Sequence, residues 1–285
     1  MKSALKQILD MGLTPYVSTS ANVLPHLDLS LFEGRAIIKI LEATEHLPFH
    51  QAYLLSNSLG FGAPDLKMPN WVYMDCVLLQ TAVVGFAMPV EKVPASLRAL
   101  YEADSLIDMD RLDVIPISGQ ISAMGLDGKT LTGYSLFSLK SRLLNGLKDL
   151  ATLPIGTLTK FSALCAYKAD LPDRVVRGVA QYDNPALKIH GLFSDKMYIE
   201  QPMLPLHPLQ SMSFIYRMKV QLSEEELQNN VQPNDREPDI LMHAEDEAMK
   251  HEMAERIKQG EQFYIQHPIQ ITKDDKIYLP ICVEK

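Results

Sequence analysis

Cysteine and tryptophan are scarce: the 285 residues include 3 of the first and 1 of the second. Cys76, Cys165 and Cys282 are odd in number, far apart and in no CxxC arrangement, so neither a disulfide framework nor a thiolate metal centre is implied. They read as buried thiols. Basic clusters are missing as well, since no run of Lys and Arg exceeds two residues and the formal net charge is −8. A nucleic-acid binder needs a concentrated basic footprint, so nucleic acid is not an expected partner. Long apolar runs are also absent: residues 72–90 contain Asp75, Gln80 and Pro89 and fall short of the roughly 18 unbroken apolar residues of a membrane span. No membrane contact is expected. Near the start, Asp10 and Pro15 interrupt any apolar core before it reaches signal-peptide length, and the expectation is a soluble, cytoplasmic chain. The GxSxG, GxxxxGK[ST] and GxGxxG fingerprints do not occur, which removes the commonest hydrolase, nucleotide and dinucleotide readings.

What is present is enough apolar material, 47% of the residues, to bury a substantial core. Helical spacing occurs over residues 2–11 and 34–59, where Pro48 should divide the second segment in two. Residues 60–70 read as a loop, 71–88 as one or two strands and 94–106 as a helix. Asp127-Gly128 between β-compatible runs predicts a hairpin turn. Beyond it, strands are expected at 146–154, 175–183, 196–202 and 211–222, and helices at 157–169 and 184–193, the last with Asn184 as N-cap and Pro185 in its first turn. After Leu222 the chain turns polar and acidic, followed by a charged helix at 240–258 and a final strand at 274–283. The expected class is α/β or α+β, with a mixed, largely antiparallel central sheet flanked by helices. Three portions follow from composition: 1–110, 111–222, and an appendage over 223–285.

The segment LATLPIGTLTKF, residues 150–161, runs from an apolar stretch through Pro-Ile-Gly-Thr into a helix. A helix start with Gly156 and Thr157 in its first turn offers free backbone N–H groups and the positive end of the macrodipole, a combination suited to an anion. A plain turn into a helix, permitted by Gly156, is the competing explanation. Downstream, Gln181, Tyr182, Asp183 and Asn184 gather polar side chains at a strand end, where ligands of open α/β sheets bind; a capped helix start also accounts for them.

In order, the Asp127-Gly128 turn with Gly133-Tyr134, the stretch from Leu150 to Thr157, and Asn184 followed by the HGLF ending at Phe193 resemble the acyl-CoA-binding core of the GCN5-related N-acetyltransferases. The resemblance covers roughly residues 115–216 and rests on the order of elements more than on any one motif. The family's pyrophosphate loop carries Arg or Gln at its start and two small residues; here only Gly156 is kept. The resemblance implies acetyl-CoA or another acyl-CoA as cofactor, held by Leu150, Thr152, Ile155, Gly156, Thr157, Leu158 and Asn184. It implies transfer of the acyl group to an amine or hydroxyl of a small molecule or protein. Tyr182 or His190 would then protonate the thiolate leaving group and Asp149 would accept the acceptor's proton. For His190 the alternative is a helix-terminal residue bonded to carbonyls or solvent, and for Asp149 a solvated carboxylate. A non-catalytic protein of the same architecture that binds a small ligand or a partner, or that forms a homo-oligomer, is the other reading.

His243, Glu247 and His251 share a spacing of four and would line one helical face, but the surrounding segment is charged throughout and lacks the HExxH pattern. His46 and His50 are separated by Pro48. No metal is expected at either place.

Overall fold

The computed structural model describes residues 1–41, 46–61, 81–125, 129–144, 146–167, 175–204, 213–232 and 236–284. The Asp127-Gly128 turn, residues 62–70 of the expected loop, residues 71–80 of the expected strand and Cys76 lie outside them. The chain forms two compact units, one of Met1–Gly128 and Gly133–Pro172, the other of Lys129–Thr132 and Asp173–Lys285. This partition differs from the three portions read from composition. Both units are mixed α and β, and their strand pairing is mostly antiparallel.

The first unit orders its strands β2-β1-β3-β4-β5, where β1 is Thr14–Thr19, β2 Ile38–Ile40, β3 Thr81–Pro89, β4 Val114–Met124 and β5 Thr130–Ser138. β1 runs parallel to β2 and antiparallel to β3, and β3 runs antiparallel to β4. Its helices are α1 (Lys2–Asp10), α2 (Leu47–Phe61), α3 (Ala95–Glu102), α4 (Lys140–Leu143), α5 (Lys148–Thr152) and α6 (Ile155–Ala166). Both faces of the sheet are covered, so β3 reads as a nearly continuous buried run rather than an alternation. On one face Tyr16 lies opposite Gly85, which in turn lies opposite Gly119. The Tyr16 hydroxyl donates to the Ser118 carbonyl at 3.0 Å, and its ring meets Phe49 of α2 edge-on, with centroids 5.0 Å apart. The missing side chains at the two glycines are the space the tyrosine occupies. On the other face, residues of opposite parity on β4 meet α6.

The second unit orders its strands β6-β8-β7-β10-β12-β11, with β9 paired to β12. These are β6 (Val175–Gln181), β7 (Met197–Gln201), β8 (Ser213–Lys219), β9 (Ile240–His243), β10 (Phe263–Ile265), β11 (Ile271–Lys273) and β12 (Lys276–Val283). Helices α7 (Ala186–Gly191), α8 (Glu224–Asn230) and α9 (Glu247–Lys258) complete it. Here alternation is clear: Val176, Gly178 and Ala180 of β6 are buried, while Arg177 and Val179 are exposed. The start of α8 is a capping box, with Ser223 Oγ accepting from the Glu226 amide at 3.1 Å and Glu226 Oε2 accepting from the Ser223 amide at 2.9 Å.

Three expectations are corrected. Residues 146–154 are not a strand: α5 occupies Lys148–Thr152. Leu147, Leu150 and Ala151 have helical spacing, and Asp149 in the first turn suits the positive end of the helix. The helix expected at 240–258 begins only at Glu247, because Ile240–His243 pairs with β12 as a strand and Asp246 then caps α9 through the Met249 amide at 3.0 Å. His243 therefore does not share a helical face with Glu247 and His251. Pro48 does not divide a helix either; it sits in the first turn of α2, where a proline costs no hydrogen bond. Among the described residues no helix is long and apolar enough to cross a membrane.

A Cβ placed at Gly119 would lie 2.6 Å from the Tyr16 hydroxyl oxygen, 2.8 Å from Tyr53 and 2.9 Å from Phe137. Gly119→Ala should therefore destabilise the first unit by about 1–3 kcal/mol, the range for overpacking a filled core, seen as a lower urea midpoint at unchanged m-value.

Candidate functional site

The junction at residues 150–158 is built from two short steps of backbone. α5 ends at Thr152, whose hydroxyl donates to the Asp149 carbonyl at 2.6 Å. Leu153 is extended, and Pro154 stands before the first turn of α6 with no side-chain cap. The Leu158 amide donates to the Pro154 carbonyl at 2.9 Å and the Ile155 amide to the Leu153 carbonyl at 2.9 Å. Gly156 and Thr157 thus carry first-turn amides for which an α-helix has no intrahelical acceptor. The side chains around them point inward: Leu150, Ile155 and Leu158 belong to the hydrophobic core, and Thr157 is buried. Asp149 and Thr152 are exposed. Of the expected cofactor residues in this unit, the structure therefore brings the backbone together at one helix start and uses the apolar side chains as anchors.

α6 is buried almost all round, with Cys165 alone half-buried. Its polar side chains must find partners inside, and several do so on β4. Thr159 Oγ1 donates to the Ile155 carbonyl at 2.8 Å and lies 2.7 Å from Ser118 Oγ, and further along the Tyr167 hydroxyl donates to the Ser122 carbonyl at 2.9 Å. Between these two clamps Gln120 and Ser162 are also buried. Lys160 is buried in the same helix, and burial lowers its pKa from 10.5 to about 7. Although Lys160 is close in sequence to the helix start, the structure places its ammonium where desolvation favours the neutral form. The alternation of Ser118, Gln120 and Ser122 along β4 was the available signal for this polar seam, because a period of two on a buried strand marks one face.

Tyr182, Asn184 and His190 lie in the second unit. Tyr182 is buried: its hydroxyl donates to the Pro202 carbonyl at 2.9 Å, its ring is 4.7 Å from that of Phe214, and the Lys250 ammonium sits 4.7 Å above it. Burial pushes the phenol's pKa well above its ordinary value, so the group stays protonated. Lys250 is itself buried, and its ammonium donates to the Ala244 carbonyl. Asn184 Oδ1 accepts from the Ala186 amide at 2.8 Å, while Gln270 Nε2 donates to the carbonyls of Tyr182 at 3.3 Å and Asn184 at 3.1 Å. The strand end is thereby pinned. His190, in the last turn of α7, stacks on Tyr216 with centroids 5.5 Å apart, and Tyr216 packs on Phe214 at 6.3 Å. The two expected proton donors are thus joined by a row of rings, His190, Tyr216, Phe214 and Tyr182.

A separate cavity of about 220 Å³ opens beside Arg236, Gln266, His267 and Cys282. None of the expected catalytic or cofactor-binding residues lines it. Among the described residues no group of three or more His, Cys, Asp or Glu is placed to hold a metal ion.

No family model matches the chain, and no curated protein does. Among solved structures it is similar to the crystal structure of Tetrahymena GCN5, with 10% identity, a TM-score of 0.32, and coverage of 61% of this chain and 89% of that one. A likeness this distant leaves family membership and activity unassigned.

The buried lysine generates a measurable pH dependence. Lys160 titrates at about 7 in the folded chain against an ordinary value of 10.5, so between these values the unfolded chain binds the additional proton. Stability should rise as pH increases through that window and be insensitive to this group below it. Urea unfolding at about pH 7 and about pH 9 checks the slope, which Lys160→Met should flatten.

Proposed function

We propose that the chain binds an acyl-thioester cofactor of the acyl-CoA class and transfers its acyl group to an amine or hydroxyl. The observation that supports this reading is the order of elements from β4 to β8: two strands, the short helices α4 and α5, the helix α6 with Gly156 in its first turn, the strand β6, the short helix α7 behind Asn184, and then β7 and β8. It matches the order on which the sequence resemblance rests except before α6, where helices α4 and α5 stand in place of the expected strand. Backbone donors at Gly156 and Thr157 match the chemistry of a pyrophosphate, since an anion at a helix start needs N–H groups and the dipole more than any side chain. When bound, the cofactor would supply an acyl group already activated as a thioester. The chain's own residues would then have two tasks. His190 would hold the proton destined for the thiolate; it takes precedence over Tyr182, whose hydroxyl already donates to Pro202. Asp149, exposed on α5, would accept the proton released by the acceptor.

A second reading is supported by a specific observation. Ile155, Thr157 and Leu158 are buried at the helix start and Tyr182 has its hydroxyl engaged, which suits a non-catalytic protein that binds a small ligand or a partner on the same architecture.

Calorimetric titration with CoA and with acetyl-CoA, followed by single-turnover assays of thioester consumption with amine acceptors, separates the two. Under the enzymatic reading, both ligands give saturable heat and His190→Gln lowers transfer by about 100-fold, the scale of a lost general acid, with binding unchanged. Heat without turnover supports the second reading, and no heat with either ligand removes the cofactor.

A further inference from the structure

The outward face of the sheet in the second unit carries a cross-strand row that neither functional reading uses. Arg177 of β6 lies directly opposite Arg217 of β8, Arg217 opposite Tyr198 of β7, and Tyr198 opposite Tyr264 of β10. Like charges set directly opposite one another destabilise a sheet unless something intervenes. Glu200 does so: it lies 2.7 Å from Arg177 Nε and 3.2 Å from Arg217 Nε. The Arg217 guanidinium also stacks over Tyr198, at 5.2 Å from the ring centre. On one side of the arginine row Val179 pairs with Ile215, and on the other side Val175 pairs with Lys219. Val179 is 46% exposed. Lys219 is exposed, with no carboxylate in ion-pair range among the described residues. Further across, Lys196 pairs with Glu284 at 2.8 Å, and Arg236 with Asp239 at 2.6 Å. On this face Arg177, Arg217, Lys219, Lys196 and Arg236 outnumber Glu200, Glu284 and Asp239, although the whole chain is acidic at −8.

We propose that this face docks an acidic segment of a partner protein, its carboxylates meeting Arg217 and Lys219 and its apolar side chains covering Val179 and Ile215. Charge complementarity selects that occupant. A second copy of the chain arranged about a two-fold axis would set the arginine row against itself. Nucleic acid would gain nothing from the Val179–Ile215 row and would meet Glu200 and Glu284 between the cations. An acidic peptide that also carries apolar residues satisfies the cationic rows and the apolar row beside them, and arginine and aromatic residues beside an apolar patch are what protein interfaces favour. The proposal is independent of acyl transfer.

The probe is a dye-labelled peptide in which Glu alternates with Leu, titrated with the full chain and followed by fluorescence anisotropy. A Gln-Leu peptide and a single-stranded oligouridylate serve as comparisons. The expected result is saturable binding of the Glu-Leu peptide, weaker at higher salt, and weaker by about tenfold in both Arg217→Glu and Val179→Asp, a change typical of losing one anchoring residue. Lys6→Glu, which makes the same charge change on exposed α1, should bind as the unaltered chain does, and circular dichroism confirms that each variant is folded. The proposal is overturned by absent saturation, by undiminished binding in folded Val179→Asp, by an equal loss in Lys6→Glu, or by tighter binding of the oligouridylate or the Gln-Leu peptide.

Discussion

The first unit depends on how a nearly fully buried helix satisfies its polar side chains. A surface helix would turn Thr159, Ser162 and Lys160 to water, whereas α6 has no such side. Hydrogen bonds in a low-dielectric interior are costly to lose, so the Ser118–Thr159 contact and the Tyr167 hydroxyl on the Ser122 carbonyl fix both the position and the rotation of α6 on β4. The place and direction of the amides at Gly156 and Thr157 follow from those clamps. What has been considered as a loop motif is therefore set by bonds made farther along the helix.

The two units handle polarity differently. In the first, both sheet faces are covered, and specificity comes from space: opposed glycines admit Tyr16, and a seam of hydroxyls aligns a helix. In the second, one face carries the core, with Phe214, Tyr216 and Met218 of β8 buried, while Ile215 and Arg217 between them are partly exposed. There the exposed arginines, tyrosines and carboxylates form rows across the strands. Each individual ion pair on such a face contributes little in water, so these rows are better understood as shaping the surface than as holding the fold.

Much of this was readable beforehand, and the failures have physical causes. Strands β6, β7 and β8 announced themselves by alternation, and α6 by an apolar run behind Pro-Ile-Gly-Thr. Leu147 to Thr152 was misjudged because a segment of five or six residues fits a period of two and a period of 3.6 almost equally well, and length is what normally decides. β9 was absorbed into the following helix since its four residues carry no turn signal until Asp246 caps α9. β1 and β2 were not foreseen: Thr14–Thr19 is buried along nearly its whole length, and β2 is only three residues long. Around the candidate site, the helix start at Gly156 and the turn that Asn184 makes with the Ala186 amide were legible from local chemistry. The engagement of the Tyr182 hydroxyl by Pro202 and the burial of Lys160 were not, because both depend on residues distant in sequence or on packing.

The pairing of β7 with β8 slips between Ile199 and Gln201: Ile199 faces Tyr216, and Gln201 faces Ile215. Glu200 is therefore the supernumerary residue of a bulge, and the ladder on either side does not need it. Yet it is the carboxylate that lets two arginines stand side by side. Removing residue 200 outright would close the ladder without changing which side chains face outward, and would leave the arginines in direct opposition. Along this strand, a change in chain length by a single residue is an electrostatic change before it is a structural one.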